Sequence, residues 1–186
     1  MENINEIDFS SGFLKEYKKV QERRLSDLRE YFYDKKAVEN ILVNQNPIIY
    51  RVYDVIYDYP GGLSYSVTEL MPGKVGNEYY FTKGHFHSKS AAEIYIVFKG
   101  NGILLTENRS GDTKTYNMYR GSTINVEPEY AHRSVNTGTT PLIFLAIYPT
   151  DAGHDYESIK ERGFSYLIVD KNGPTLIKND RKNLEK

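Results

Sequence analysis

All four histidines of this chain fall between residues 85 and 154, and two of them are separated by a single residue in TKGHFHSKSAAEIY. Residues two apart on a strand point to the same face, so His85 and His87 can present their imidazoles side by side. Glu93 follows after a short SKSAA connection and opens the run EIYIVF, which ends at Gly100; a hairpin there would return Glu93 opposite the two histidines. His132 lies in GSTINVEPEYAHRSVN, where Gly121, Pro128, His132 and Asn136 are spaced to turn two strands around. Three imidazoles and one carboxylate suit Fe²⁺, Mn²⁺, Ni²⁺, Co²⁺ or Zn²⁺, and a six-coordinate ion held this way keeps two positions for water or substrate. The expected centre is one divalent metal ion per subunit on His85, His87, Glu93 and His132.

The elements that must position these residues are strands. From Pro47 onward the chain runs in short Tyr-, Ile-, Val-, Phe- and Thr-rich stretches, interrupted by Gly, Pro, Asn and Asp about every ten residues, as in an antiparallel sandwich or barrel. The predicted strands are PIIYRVYDVIYDY, LSYSVTEL, EYYFT, EIYIVF, ILLTE, KTYNMY, STINV, HRSVN and PLIFLAIY. Turns fall at Pro60-Gly61-Gly62, Pro72-Gly73, Gly100-Asn101-Gly102, Ser110-Gly111-Asp112 and Asn136-Thr137-Gly138. Residues 1–46 differ in texture, being charge-rich, with helices predicted at Leu25 to Phe32 and at Lys35 to Gln45, the second capped by Asp34 and ended by Asn46-Pro47. After the barrel, DYESIKER reads as a short helix capped by Asp155, followed by the hairpin FSYLIVD-KNG-PTLIK and a frayed tail RKNLEK. No repeat recurs at 20 to 50 residues. One domain is expected over residues 1–186: an arm with short helices (1–46), the barrel (47–150), and a C-terminal helix, hairpin and tail (151–186).

Composition narrows the function classes. Lys and Arg number 24 against 25 Asp and Glu, so no net charge draws the molecule to nucleic acid or to an anionic membrane. There is no cysteine, which excludes disulfides and thiolate ligands and leaves His and carboxylates to hold a metal. The acidic start MENINEIDFSSGF is unlike a signal peptide, and no apolar run approaches the roughly 20 residues of a membrane span, so a cytoplasmic protein is expected. Seventeen Tyr and eight Phe with no Trp suit strands that face both core and a polar cavity.

The segments around His85 to Gly100 and Gly121 to Asn136 resemble the two cupin motifs, so the resemblance implies an all-β cupin fold (double-stranded β-helix, or jelly-roll barrel) with an N-terminal helical segment and a short C-terminal helix. The longer stretches TELMPGKVGNEYYFTKGHFHSK, AEIYIVFKGNGILL and AHRSVNTGTTPLIFLAIYPTDAGHDY closely resemble the archaeal-type, cupin phosphoglucose isomerases, over about residues 20 to 170. That resemblance implies interconversion of glucose 6-phosphate and fructose 6-phosphate, Fe²⁺ as the favoured ion, and a homodimer. It places Thr68, Thr82 and Gly84 at phosphate-binding positions and Tyr95, Tyr148 and His154 against the sugar, with Glu93, Tyr95 and His154 as the catalytic set. Glu93 is the family's favoured base for moving the proton from carbon 2; a metal-assisted hydride shift is the alternative. The family often carries an aromatic pair before the last ligand, where this chain has Glu129 and Tyr130, so no role is carried over to Glu129. Read from the residues alone, Lys83 and Lys74 are solvated surface cations. Other readings of the same motifs are a metal-cupin dioxygenase, an isomerase of another phosphosugar such as mannose 6-phosphate, and a sugar-phosphate-binding cupin without catalysis.

Overall fold

The apolar run LIFLAI has no polar alternation, as expected of a strand covered on both faces. In the computed structural model, which describes residues 4–180, this run lies in the middle of the largest sheet. The elements in chain order are β1 (Lys19–Arg24), α1 (Leu25–Leu28), α2 (Lys35–Leu42), β2 (Ile48–Val55), β3 (Leu63–Leu70), β4 (Lys74–Val75), β5 (Glu78–Tyr79), β6 (Glu93–Lys99), β7 (Asn101–Asn108), β8 (Thr113–Tyr119), β9 (Thr123–Val126), β10 (Tyr130–Asn136), β11 (Leu142–Pro149), α3 (Glu157–Arg162), β12 (Tyr166–Asp170) and β13 (Pro174–Lys178). They form a six-stranded sheet β1-β2-β3-β11-β6-β9, a three-stranded sheet β10-β7-β8 and a four-stranded sheet β13-β12-β5-β4. The fold is all-β with three small helices, the cupin architecture.

Strand β11 pairs antiparallel with β3 on one side and β6 on the other. Its two faces serve two cores. Leu142, Phe144 and Ala146 face the interior with Tyr95, Val97 and Leu104, whereas Ile143 and Leu145 pack outward with Val55, Val67 and Leu14. The N-terminal residues Ile7, Phe13 and Leu14 thus cover the back of the sheet. A third cluster joins Phe86, Leu105, Ala131, Ile159 and Phe164, fastening α3 and the histidine segment onto β7 and β10.

The sequence reading and the structure part at several places. Strand β1 was not anticipated; it extends the sheet from the arm, pairing Lys19 with Asp54, Gln21 with Val52 and Arg23 with Tyr50. Helix α1 stops at Leu28, where the Leu28 carbonyl accepts the Tyr31 N–H and closes a turn. Helix α2 begins as expected, with the Asp34 carboxylate accepting the Ala37 N–H at 2.9 Å, and ends at Leu42. Asp155 lies one residue ahead of the α3 N-cap, Tyr156, yet still accepts the Ser158 N–H at 3.1 Å. The stretch EYYFT yields only the two-residue β5 and a single bridge from Phe81 to Val135. The tail RKNLEK lies outside the described residues.

Candidate metal centre and sugar-phosphate cavity

His85 and His87 do not sit on a continuous strand. They lie in an extended segment that touches β10 through one bridge, His85 to His132, and the chain beyond it through Phe86 to Asp155. Glu93 is not returned by a hairpin with that segment either: its strand, β6, pairs with β9 and β11, matching Glu93 with Val126. The carboxylate meets the histidines across the barrel interior instead. Extended backbone still puts residues two apart on one side, and the His85 and His87 ring centroids are 5.4 Å apart.

One donor atom from each of His85, His87, Glu93 and His132 falls within 4.8 Å of the others. Glu93 and His132 are buried, at 4% and 2% exposure. Glu93 Oε2 is 2.9 Å from His132 Nε2 and 3.3 Å from His87 Nε2. Yet Glu93 Oε2, His132 Nε2 and His85 Nε2 are all inaccessible to solvent and lack a hydrogen bond of acceptable geometry. Buried polar atoms are normally satisfied, because leaving one unpaired costs about 1–3 kcal/mol. The far nitrogens explain the arrangement. His87 Nδ1 donates to the Ala91 carbonyl at 2.9 Å and His132 Nδ1 to the Tyr130 carbonyl at 3.3 Å, which leaves each Nε2 a lone pair aimed inward. Two ligands at right angles on an ion with bonds of about 2.1 Å stand about 3 Å apart, so the spacings suit neighbouring ligands on one cation. The residues fit a divalent metal.

The electrostatics suit the same use. Burial, reinforced by the neighbouring imidazoles of His132, His154 and His87, pushes His85 well below the usual range and keeps it neutral. Burial alone would raise Glu93, but His132 and His87 outweigh it and lower its pKa to about 2, so it is a carboxylate.

These donors stand in the wall of a cavity of about 690 Å³, lined by His85, Glu93 and His132 together with Thr68, Thr82, Gly84, Tyr95, Tyr148 and His154. His87 completes the donor group from behind that lining. Thr82 Oγ1 accepts the Ser134 N–H at 3.1 Å, which leaves its own proton for the cavity. Gly84 has φ of +75°, and a Cβ there would come within 2.8 Å of the Phe164 ring and 2.9 Å of the His132 carbonyl, so only glycine fits the turn before His85. Tyr95 stacks on Phe144 at 4.9 Å, and burial drives its hydroxyl far above the ordinary range, so it stays protonated as a donor. Tyr148 is likewise pushed up by burial. His154 is lowered, chiefly by burial, and stands edge-on to His85 with centroids 4.4 Å apart.

Residues 22–185 match the family described as glucose-6-phosphate isomerase (GPI). The chain belongs to the glucose-6-phosphate isomerase family. It is 46% identical over 173 residues to the glucose-6-phosphate isomerase of Pyrococcus abyssi, covering 92% of this chain and 91% of the relative. That of Thermococcus kodakarensis is 48% identical over 174 residues, covering 92% and 91%, and that of Sinorhizobium medicae 34% over 171 residues, covering 89% and 79%. Among solved structures, one reported for the mechanism of oxalate oxidase superposes with a TM-score of 0.51 at 18% identity, over 62% of this chain and 58% of that one, a likeness of fold.

Within this member of the family, several lining residues escaped the sequence reading. Tyr156, two residues past His154, stacks nearly parallel to it, at 5.6 Å and 8°. That i, i+2 spacing was the available signal. Arg23, Tyr31, Tyr50, Asp54 and Lys83 also line the cavity. Lys83 is therefore not simply solvated: its ammonium lies 5.5 Å from the centre of the Tyr31 ring, and burial lowers its pKa. Lys74 is a surface cation, ion-paired with Asp170. Glu129 is exposed, with φ of +66°, and is not among the lining residues.

Proposed function

We propose that this chain is a metal-dependent aldose–ketose isomerase that interconverts glucose 6-phosphate and fructose 6-phosphate, a step of glycolysis and gluconeogenesis. The observation that carries the reading is a group of buried, unsatisfied donors opening onto a cavity roomy enough for a hexose phosphate, in a member of this family. His85, His87, Glu93 and His132 hold one divalent ion, Fe²⁺ in the favoured case. When bound, it stabilises the negative charge that develops on the sugar oxygens, a contribution of several kcal/mol.

The protein's own groups do the rest. Isomerisation removes a proton from carbon 2 of the open-chain sugar and returns one to carbon 1. Glu93, held ionised by the neighbouring His132 and His87, is the candidate base. Tyr95, held protonated, donates to a sugar oxygen, and neutral His154 exchanges protons between the oxygens. Thr68, Thr82 and the Gly84 backbone hold the phosphate, and Tyr148 lies along the chain of the sugar. A homodimer accompanies this reading, supported by the outer edge of β1, which pairs with no further strand among the described residues. A cytoplasmic setting is in keeping with a chain without cysteine.

The deciding assay strips metal with chelator, adds back Fe²⁺, Mn²⁺, Ni²⁺, Co²⁺ or Zn²⁺ in turn, and follows conversion of fructose 6-phosphate to glucose 6-phosphate. Restored turnover with at least one ion is expected. Conversion with none of them overturns the proposal, and oxygen uptake in the same cuvette would point to a dioxygenase.

A further inference from the structure

Four cations line the cavity: Arg23, Arg29, Lys83 and Lys160. Two are neutralised by carboxylates. Arg29 pairs with Glu39 at 2.8 Å and Glu30 at 3.5 Å, and Lys160 with Glu157 at 3.8 Å. Asp27, which also lines the mouth, is turned to the backbone and accepts the Arg24 N–H at 2.8 Å. Among the described residues no carboxylate lies within ion-pairing distance of Arg23 or Lys83. Both are half-buried.

The two come together around a pair of tyrosines. Arg23 on β1 is in register with Tyr50 on β2, the Tyr50 hydroxyl lies against the Lys83 backbone, and the Lys83 ammonium sits over the Tyr31 ring. The Arg23 guanidinium is steadied by neutral acceptors, the Gln21 side-chain oxygen and the Glu22 carbonyl, each at 3.2 Å. With five N–H donors, it keeps several for a ligand. Two half-buried cations on one wall of a cavity, neither closed off by an ion pair, leave donors and charge free for an anion in the cavity.

We propose that Arg23 and Lys83 form the charge-bearing part of an anion subsite, in which the N-terminal strand delivers a guanidinium to the phosphate end of the substrate. This rests on the sugar-phosphate reading above and extends it: hydroxyl and backbone donors at Thr68, Thr82 and Gly84 orient the phosphate, whereas Arg23 and Lys83 supply the charge that distinguishes a dianion from a neutral sugar. Arm and barrel are then one binding unit.

The test compares wild type with Arg23→Gln, Lys83→Gln, the double variant and Arg23→Lys, each metal-loaded. Each neutral substitution should raise KM for fructose 6-phosphate about tenfold, as expected for the loss of a charge-assisted hydrogen bond, with the loss in kcat/KM carried mainly by KM. The inhibition constant of inorganic phosphate should rise by a similar factor, and Arg23→Lys should recover part of both. Melting curves show that the variants are folded. A folded double variant with unchanged KM and unchanged phosphate inhibition overturns the subsite. If wild type fails to turn over fructose 6-phosphate, the isomerase reading falls by itself. Calorimetric binding of inorganic phosphate then decides the subsite: it stands if wild type binds and the double variant binds at least tenfold more weakly, and falls otherwise.

Discussion

The two walls of the cavity are built on opposite principles. On the metal wall, His85, His87, Glu93 and His132 converge on one point, and three of their donor atoms are sealed from water without a partner. On the arm wall, Gln21, Arg23, Tyr50 and Asp54 stand on β1 and β2, and polar neighbours satisfy them in part. The first wall is a deficit that only a cation relieves; the second carries charge, tolerable because it borders a wet cavity. A ligand spanning both would be gripped at one end by coordination and at the other by charge. On the proposed reading the chemistry belongs to the first end, and affinity and discrimination to the second.

The largest effect should come from breaking the metal wall. His132→Ala removes a buried donor of the proposed metal centre from β10, where its Nε2 closes on Glu93. Bound metal, measured by elemental analysis, should fall sharply and kcat by about a thousandfold, equivalent to the several kcal/mol a bound ion supplies. Glu93→Gln is more discriminating. If it keeps metal and full turnover, the carboxylate is a ligand without a role as base; retained metal with lost turnover assigns it both. Either substitution should leave phosphate binding to the arm wall largely intact, whereas equal losses at both ends would dissolve the contrast between them.

The two walls also differed in how legible they were in the sequence. The metal wall could be read because its residue types are rare and closely spaced: four histidines in the chain, three of them in the donor group. Even so, the route was misjudged, since Glu93 arrives on a strand paired with β9 and not on a hairpin partner of the histidine segment. Strands with one apolar face were legible: β3 came out with its full bounds, Leu63–Leu70, because Tyr65 and Val67 alternate along its back face while Ser66 and Thr68 turn to the cavity. Strand β1 did not, because Gln21 and Arg23 face a polar cavity and not a core and Lys19 is exposed, so KVQERR carries no hydrophobic alternation. Arg23 was missed with it; Tyr50 and Asp54 stand on the predicted strand β2 but were missed because nothing in the sequence tells which of its faces lines a cavity. A polar site on an edge strand looks like ordinary surface until the fold curls it inward.

A middle-sized effect is expected behind the metal wall. Arg133 is buried at 4% exposure, its guanidinium lying 4.2 Å from the Phe81 ring centre and 4.6 Å from that of Phe164. It donates twice to the Lys83 carbonyl, at 2.8 and 3.3 Å, and so fixes the turn through Gly84 that aims His85. Arg133→Met keeps much of the bulk but loses the fork, and should destabilise the fold by about 2–4 kcal/mol in chemical denaturation. Because that turn carries Lys83 on one side of Gly84 and His85 on the other, metal affinity and affinity for substrate should weaken together, so this position couples the two walls. A change in only one of them would mean the turn is held by other contacts.

The smallest effect tests the arm wall without touching either ligand end. Asp54, at 5% exposure, accepts from Gln21 Nε2 at 2.8 Å. Burial raises its pKa above the ordinary 3.8, and the Gln21 hydrogen bond and Lys19 only partly offset this. The folded protein therefore binds this proton more readily than the unfolded chain. Above the raised folded pKa the ionised group works against the fold, and that penalty disappears as pH falls through the folded pKa towards 3.8. Asp54→Asn keeps an acceptor for Gln21 and removes the charge, so it should raise Tm at pH 7 by a few degrees at most, with the gain shrinking as the scan moves to pH 4. A lower Tm at pH 7 would mean that the charge is balanced in place, and the arm wall would then be as fully satisfied as any other part of the surface.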